Sequence, residues 1–119
     1  MLLAPYVNQI DQDFKSLKSS LDNSINDLEK KGIGEFYLYG DKNYYLVYFN
    51  EKPSFYFNEI NFYSEDYHNT LCLCNYQEEK FLKEEKVICN VCSKVKNQLN
   101  LDKKVFSSGN KVVLRYNDE

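Results

Sequence analysis

The residues best placed to do chemistry are four cysteines, arranged as Cys72-x-Cys74, fourteen intervening residues, then Cys89-x2-Cys92. Two short-spaced pairs of this kind predict a structural zinc site. Each pair presents two thiolates from one turn, and Zn2+ accepts four of them in a tetrahedron. Four sulfurs close the coordination shell and leave no position for a reactive water, so such a zinc would hold structure and not catalyse. The same thiolates would suit an iron-sulfur cluster, and His68, four residues before Cys72, is an alternative ligand. Disulfides would need an oxidising compartment, for which the sequence carries no signal.

Other readings of the same residues fit less well. Val87-Ile88 ahead of Cys89-Asn90-Val91-Cys92 mimics the strand-CxxC order of thioredoxin-like redox proteins. However, both prolines, Pro5 and Pro53, precede the motif, so the downstream proline of that family is missing. Zinc deaminase chemistry needs His-x-Glu and Pro-Cys-x-x-Cys, whereas this chain has His68-Asn69-Thr70 and Ile88 before Cys89. Over residues 72 to 92 the spacing resembles the zinc-bearing form of a small bacterial large-subunit ribosomal protein. The resemblance is one of knuckle geometry and not of membership, because Ser93-Lys94-Val95-Lys96 follows the second pair in place of aromatic and glycine residues. With a single histidine and no glycine-rich phosphate loop, a non-catalytic protein is expected.

Charge marks a second candidate site. Residues 1 to 70 carry six lysines against eleven acids, while residues 86 to 116 carry six lysines and Arg115 against Asp102 alone. Lys94, Lys96, Lys103, Lys104, Lys111 and Arg115 are therefore candidates for contacting the phosphates of RNA or DNA. A third candidate site is aromatic. Tyr37, Tyr39, Tyr45 and Tyr56 lie in the acidic part, where phosphate is repelled and a protein partner is the better match.

The elements that must position these residues can be read from periodicity. Val7, Ile10, Phe14, Leu17, Leu21, Ile25 and Leu28 recur at spacings of three and four, which predicts a helix from Pro5 to Lys31. Lys30 and Lys31 favour its C-terminal dipole, and Gly32 suits a left-handed cap. The stripe would pack on a sheet, or in a coiled-coil dimer, leaving monomer or homodimer open. From Glu35 the period becomes two. Strands are expected at 36–39, 44–49, 54–57 and 60–63, joined as an antiparallel meander by turns at Gly40-Asp41-Lys42-Asn43 and Asn50-Glu51-Lys52-Pro53. A charged stretch runs from Gln77 to Lys86. Val91, Val95 and Leu99 predict a short helix, and Ser107-Ser108-Gly109-Asn110 predicts a final hairpin between 104–106 and 112–114.

The resulting expectation is an α+β protein with a helix on an aromatic meander in residues 1–67 and a zinc-bound helix and hairpin in residues 68–119, whether as two units or one continuous domain. With 119 residues, 43% apolar and 28% charged, the chain has the balance of a folded domain, and its longest apolar run, Tyr44 to Phe49, is far shorter than the roughly 20 residues of a membrane span. The opening residues lack a basic n-region, which leads to a reducing, cytoplasmic location as the expectation. An excess of Asn, Lys, Tyr and Phe is the mark of an AT-rich coding sequence. The functional expectation is a non-catalytic zinc-binding accessory protein, such as a phage or mobile-element factor, docking on host machinery through its tyrosine-rich part. The alternative is a component of a ribosome or transcription complex that meets nucleic acid through residues 86–116.

Overall fold

The computed structural model describes residues 3–39, 44–57, 59–75, 86–89 and 91–117, apart from the side chains of residues 3–14, 55 and 86. The expected turn at 40–43 and most of the charged stretch from Gln77 lie outside those residues. One helix, α1 (Leu3–Lys31), is followed by nine strands among the described residues: β1 (Gly34–Leu38), β2 (Tyr44–Phe49), β3 (Ser54–Phe57), β4 (Ile60–Tyr63), β5 (Thr70–Asn75), β6 (Lys86–Ile88), β7 (Val91–Lys94), β8 (Val105–Ser107) and β9 (Asn110–Leu114). The protein is thus β-rich with one helix. The helix expected from Val91, Val95 and Leu99 does not form, and among the described residues there is no zinc unit, so the α+β expectation is not met.

Helix α1 forms where its period predicts. Leu17, Leu21, Ile25 and Leu28 are buried on one stripe, and the Gly32 amide closes the last turn on the Leu28 carbonyl at 2.8 Å. Gly34 follows at once because nothing larger fits. A Cβ there would lie 2.2 Å from the backbone oxygen of Ser24, so α1 and β1 touch main chain to main chain.

Strands form close to those expected at 36–39, 44–49, 54–57, 60–63, 104–106 and 112–114, but β5 and β7 are additional and the pairing differs. β1 pairs antiparallel with β9, joining Gly34 to Leu114 and Leu38 to Asn110. A four-stranded antiparallel sheet runs β7-β5-β2-β8, and a three-stranded sheet runs β3-β4-β6. Only β3 and β4 form a hairpin of the kind expected, while β4 and β6 run parallel. In place of the expected β1-β2 and β8-β9 hairpins, β1 and β9 pair as a two-stranded ribbon, while β2 and β8 pair within the four-stranded sheet. Ser108, between β8 and β9, is fastened to the start of β2, its hydroxyl donating to the Tyr44 carbonyl at 3.1 Å and accepting the Tyr44 amide at 3.2 Å.

Period-two alternation sends each central strand into two cores. Leu46, Tyr48, Leu71, Leu73 and Phe106 face α1 together with Phe36, Leu38, Val112 and Leu114 of the ribbon. Val47, Phe49, Cys72, Cys74 and Val105 face the opposite way, onto Ile60, Phe62, Val87 and Cys89 of the three-stranded sheet. The layers are therefore α1 with the ribbon, the four-stranded sheet, and the three-stranded sheet. The second face of the aromatic sheet is covered from within the chain.

Residues 91–99 show why helical spacing misleads here. A helix would send the Val95 and Leu99 amides to carbonyls four residues back. Instead the Val95 amide bonds the Asn69 carbonyl at 3.0 Å, the Leu99 amide bonds the Tyr48 hydroxyl at 3.1 Å, and the Val95 carbonyl accepts from Asn69 Nδ2 at 2.9 Å. The Tyr48 hydroxyl in turn donates to Asn69 Oδ1. Val91, Val95 and Leu99 still reach the core facing α1, carried by a strand and an irregular segment.

Two substitutions test this packing. Gly34→Ala should lower the unfolding free energy in urea by about 3 kcal/mol, because a backbone oxygen cannot give way as a side chain would; a wild-type midpoint would deny the close approach of α1 and β1. Tyr48→Phe should lower it by about 2 kcal/mol, leaving the Leu99 amide and Asn69 without their partner. Burial raises the Tyr48 phenol above its ordinary value of 10.0, only partly offset by the Leu99 amide. Its contribution is thus complete below that value and lost as pH rises through the raised one, so the difference between wild type and Tyr48→Phe should shrink in strong alkali.

Candidate functional site: the paired cysteines and the outer ribbon face

The four cysteines converge, but on each other. Cys72 is bridged to Cys92 and Cys74 to Cys89, and no cysteine among the described residues is free. This overturns the structural zinc site at Cys72, Cys74, Cys89 and Cys92, since a sulfur committed to a disulfide is not available as a thiolate ligand. Among the described residues no group of three or more His, Cys, Asp or Glu side chains is arranged to hold a metal ion. His68 stacks on Tyr67 instead, ring centroids 4.3 Å apart.

The geometry follows from the strands. Cys72 and Cys74 are two residues apart on β5, so both point to the core shared with the three-stranded sheet. Cys92 stands directly opposite Cys72 in the β5-β7 register, and Cys89 follows β6 in the neighbouring layer. One bridge therefore ties β5 to its edge neighbour and the other ties it across to the three-stranded sheet. Disulfides form and persist in oxidising surroundings and are rare in a reducing cytosol. The pairing thus replaces the cytoplasmic expectation with an oxidising, extracellular or secreted setting.

β7 is fastened at more than the bridge. The Ser93 hydroxyl donates to Asp22 Oδ1 of α1 at 2.6 Å, and Lys94 pairs with Asp66 at 3.0 Å. Burial raises the Asp22 carboxyl, but the Ser93 hydrogen bond and Lys18 at 2.9 Å outweigh it and hold the group below its ordinary range.

The six basic candidates are spread out rather than gathered. Lys94 pairs with Asp66, and Lys111 pairs with Glu35 at 3.3 Å. Lys103 lies over the Phe106 ring at 5.7 Å and Lys104 over Tyr48 at 6.0 Å. Lys111 and Arg115 line a cleft of about 330 Å3 with Leu101, Phe106 and Val112, while Lys96 is exposed beyond β7.

The aromatic candidates divide more sharply. Tyr45 packs inward, its ring 5.2 Å from Phe62. Tyr56 is 72% exposed on β3, the edge of the three-stranded sheet. Tyr37, on the outer side of β1, and Tyr39, just past its end, are 53% and 45% exposed, with ring centroids 6.0 Å apart. Val113, which sequence reasoning did not select, is exposed on the same face of β9, opposite Glu35, while Lys111 stands opposite Tyr37. The outward phase of 111, 113 and 115 was available in the sequence; that β9 would pair with β1 was not.

Replacing Cys74 and Cys89 together by alanine should lower the unfolding free energy by about 2 kcal/mol in urea, less than a lone loop of this length is worth because the outer Cys72–Cys92 bridge already restricts the segment. An unchanged midpoint would mean that this bridge does not hold the layers together. No protein-family model, curated protein or solved structure matches the chain.

Proposed function

We propose that the chain is a non-catalytic docking protein that binds a protein partner through the outer face of the β1-β9 ribbon in an oxidising setting. The observation that carries this reading is the outward exposure of the neighbouring Tyr37 and Tyr39, with Val113 on the same face across the ribbon and diagonal to Tyr37, while the inner face of the ribbon is consumed by the core. An isolated exposed apolar residue is ordinary, but adjacent tyrosines with an aliphatic neighbour match the composition of protein interfaces. Glu35 and Lys111 between them supply one charge of each sign, suiting a mixed polar rim more than a phosphate backbone.

The nucleic-acid reading draws less support. Four of the six basic side chains face carboxylates or rings. Exposed ion pairs are each worth under about 1 kcal/mol, so these contacts weaken a phosphate-binding field without abolishing it.

The test compares two variants, both checked for native disulfides and melting temperature. One carries Tyr37→Ser, Tyr39→Ser and Val113→Ser; the other carries Lys96→Glu, Lys103→Glu and Lys104→Glu. A partner cross-linked to the wild type in high salt should be lost with the first variant and kept with the second. Retention by the first, together with loss by the second and a steep fall of binding with salt, would reject protein docking and favour phosphate contact.

A further inference from the structure

The two bridges are not equivalent. Cys74 and Cys89 are sealed, at 0% and 1% exposure, and so is Cys72, whereas Cys92 is partly exposed on β7. Among the described residues β7 is also an edge strand, with β5 as its one sheet neighbour. Of the four cysteines, Cys92 is therefore the most accessible to a thiol arriving from solvent.

A second feature surrounds only this bridge. The buried Ser64 hydroxyl lies 3.6 Å from the Cys72 sulfur and 3.7 Å from that of Cys92. At present it donates to the Asp66 carbonyl at 3.1 Å and accepts the Asp66 amide at 3.2 Å. A hydroxyl has one proton and turns freely about its C–O bond, so the proton given to Asp66 can be redirected to a sulfur that gains charge. A thiolate stabilised by a hydrogen bond is a better leaving group than a bare one in an apolar core.

We propose that Cys72–Cys92 is a thiol-disulfide exchange site for an external dithiol, with the Cys92 sulfur attacked, Cys72 the leaving thiolate held by Ser64, and Cys74–Cys89 remaining closed as a structural bridge. One thiolate of the dithiol attacks the Cys92 sulfur, forming a mixed disulfide as the Cys72–Cys92 bond breaks and its electron pair leaves on Cys72. The second thiolate of the dithiol then attacks its own partner sulfur, forming the external disulfide and expelling the Cys92 thiolate. Both protein thiolates take up the protons the dithiol gave up. Two electrons pass from the dithiol to the bridge, and β7 loses its covalent tie to β5.

The consequence reaches the helix. Ser93, next to Cys92, holds Asp22 of α1, so opening the bridge loosens the strand that joins the sheet edge to α1. In the oxidised protein that contact is held by a covalent link one residue away.

The experiment is timed reduction of the native protein with dithiothreitol, quenched by alkylation and mapped by peptide mass spectrometry, alongside incubation with glutathione. Cys72 and Cys92 should be alkylated about tenfold or more faster than Cys74 and Cys89, and glutathione should be trapped on Cys92 and not on Cys72. Ser64→Ala, with its fold checked by circular dichroism, should slow opening of this bridge several-fold and leave the rate at Cys74–Cys89 unchanged. Equal rates at the two bridges, earlier opening of Cys74–Cys89, a glutathione adduct on Cys72, or a Ser64→Ala protein reduced at the wild-type rate would each overturn the proposal.

Discussion

Strand β5 is the member on which the layers hang, and its two cysteines are the reason. Through Cys72 it is joined to β7 beside it, and through Cys74 to the end of β6 in the layer beneath. β5 also pairs with β2 along its whole length, and its other side chains, Leu71 and Leu73, fill the core under α1. Two loops, of separations 20 and 15 residues, are closed one inside the other. Nested closures do not add in full, because the outer bridge has already restricted the inner segment; a single loop of such length is worth about 3 kcal/mol. What the pair adds is position, holding the short edge strands β6 and β7 in place, each of which has one strand partner among the described residues.

Several local elements were legible from periodicity, although the fold class was not. The α1 stripe, the strands at 44–49, 54–57 and 60–63, and the Gly32 cap follow from spacing and turn chemistry within a few residues of one another. Strand partners were not legible in the same way. Alternation tells which side of Phe36 or Val47 faces a core, but not that β1 would reach across the chain to β9. The residues at 91–99 failed for a related reason. Their spacing fits a helix and a core-facing extended segment alike, and the choice was made by Asn69 and Tyr48, which claim the Val95 and Leu99 amides from distant parts of the sequence.

The candidate site was misread through a true regularity. A CxC followed by a CxxC suits tetrahedral zinc, and the same spacing also suits two bridges once β5 and β7 lie side by side with Cys72 facing Cys92. Which chemistry follows depends on that register, and the register is a tertiary property. The aromatic site was half legible. Tyr37, on β1, and Tyr39, just past its end, lie on the outer side, Tyr45 turned out to pack on Phe62, and Val113 joined the face through a pairing no local pattern announces. The proposed docking face therefore lies on the outside of a ribbon whose inside is core, and the partly exposed Cys92 lies on the edge strand of the neighbouring sheet.

The tie between the layers and the exchange chemistry both rest on the pairing of the four cysteines as Cys72–Cys92 and Cys74–Cys89, which the intact mass of the denatured, unreduced protein, followed by mapping of linked peptides, reads out. That pairing requires a mass four hydrogens below that of the reduced chain, with linked peptides joining Cys72 to Cys92 and Cys74 to Cys89. The full mass of four thiols, or a bridge between Cys89 and Cys92, would contradict it.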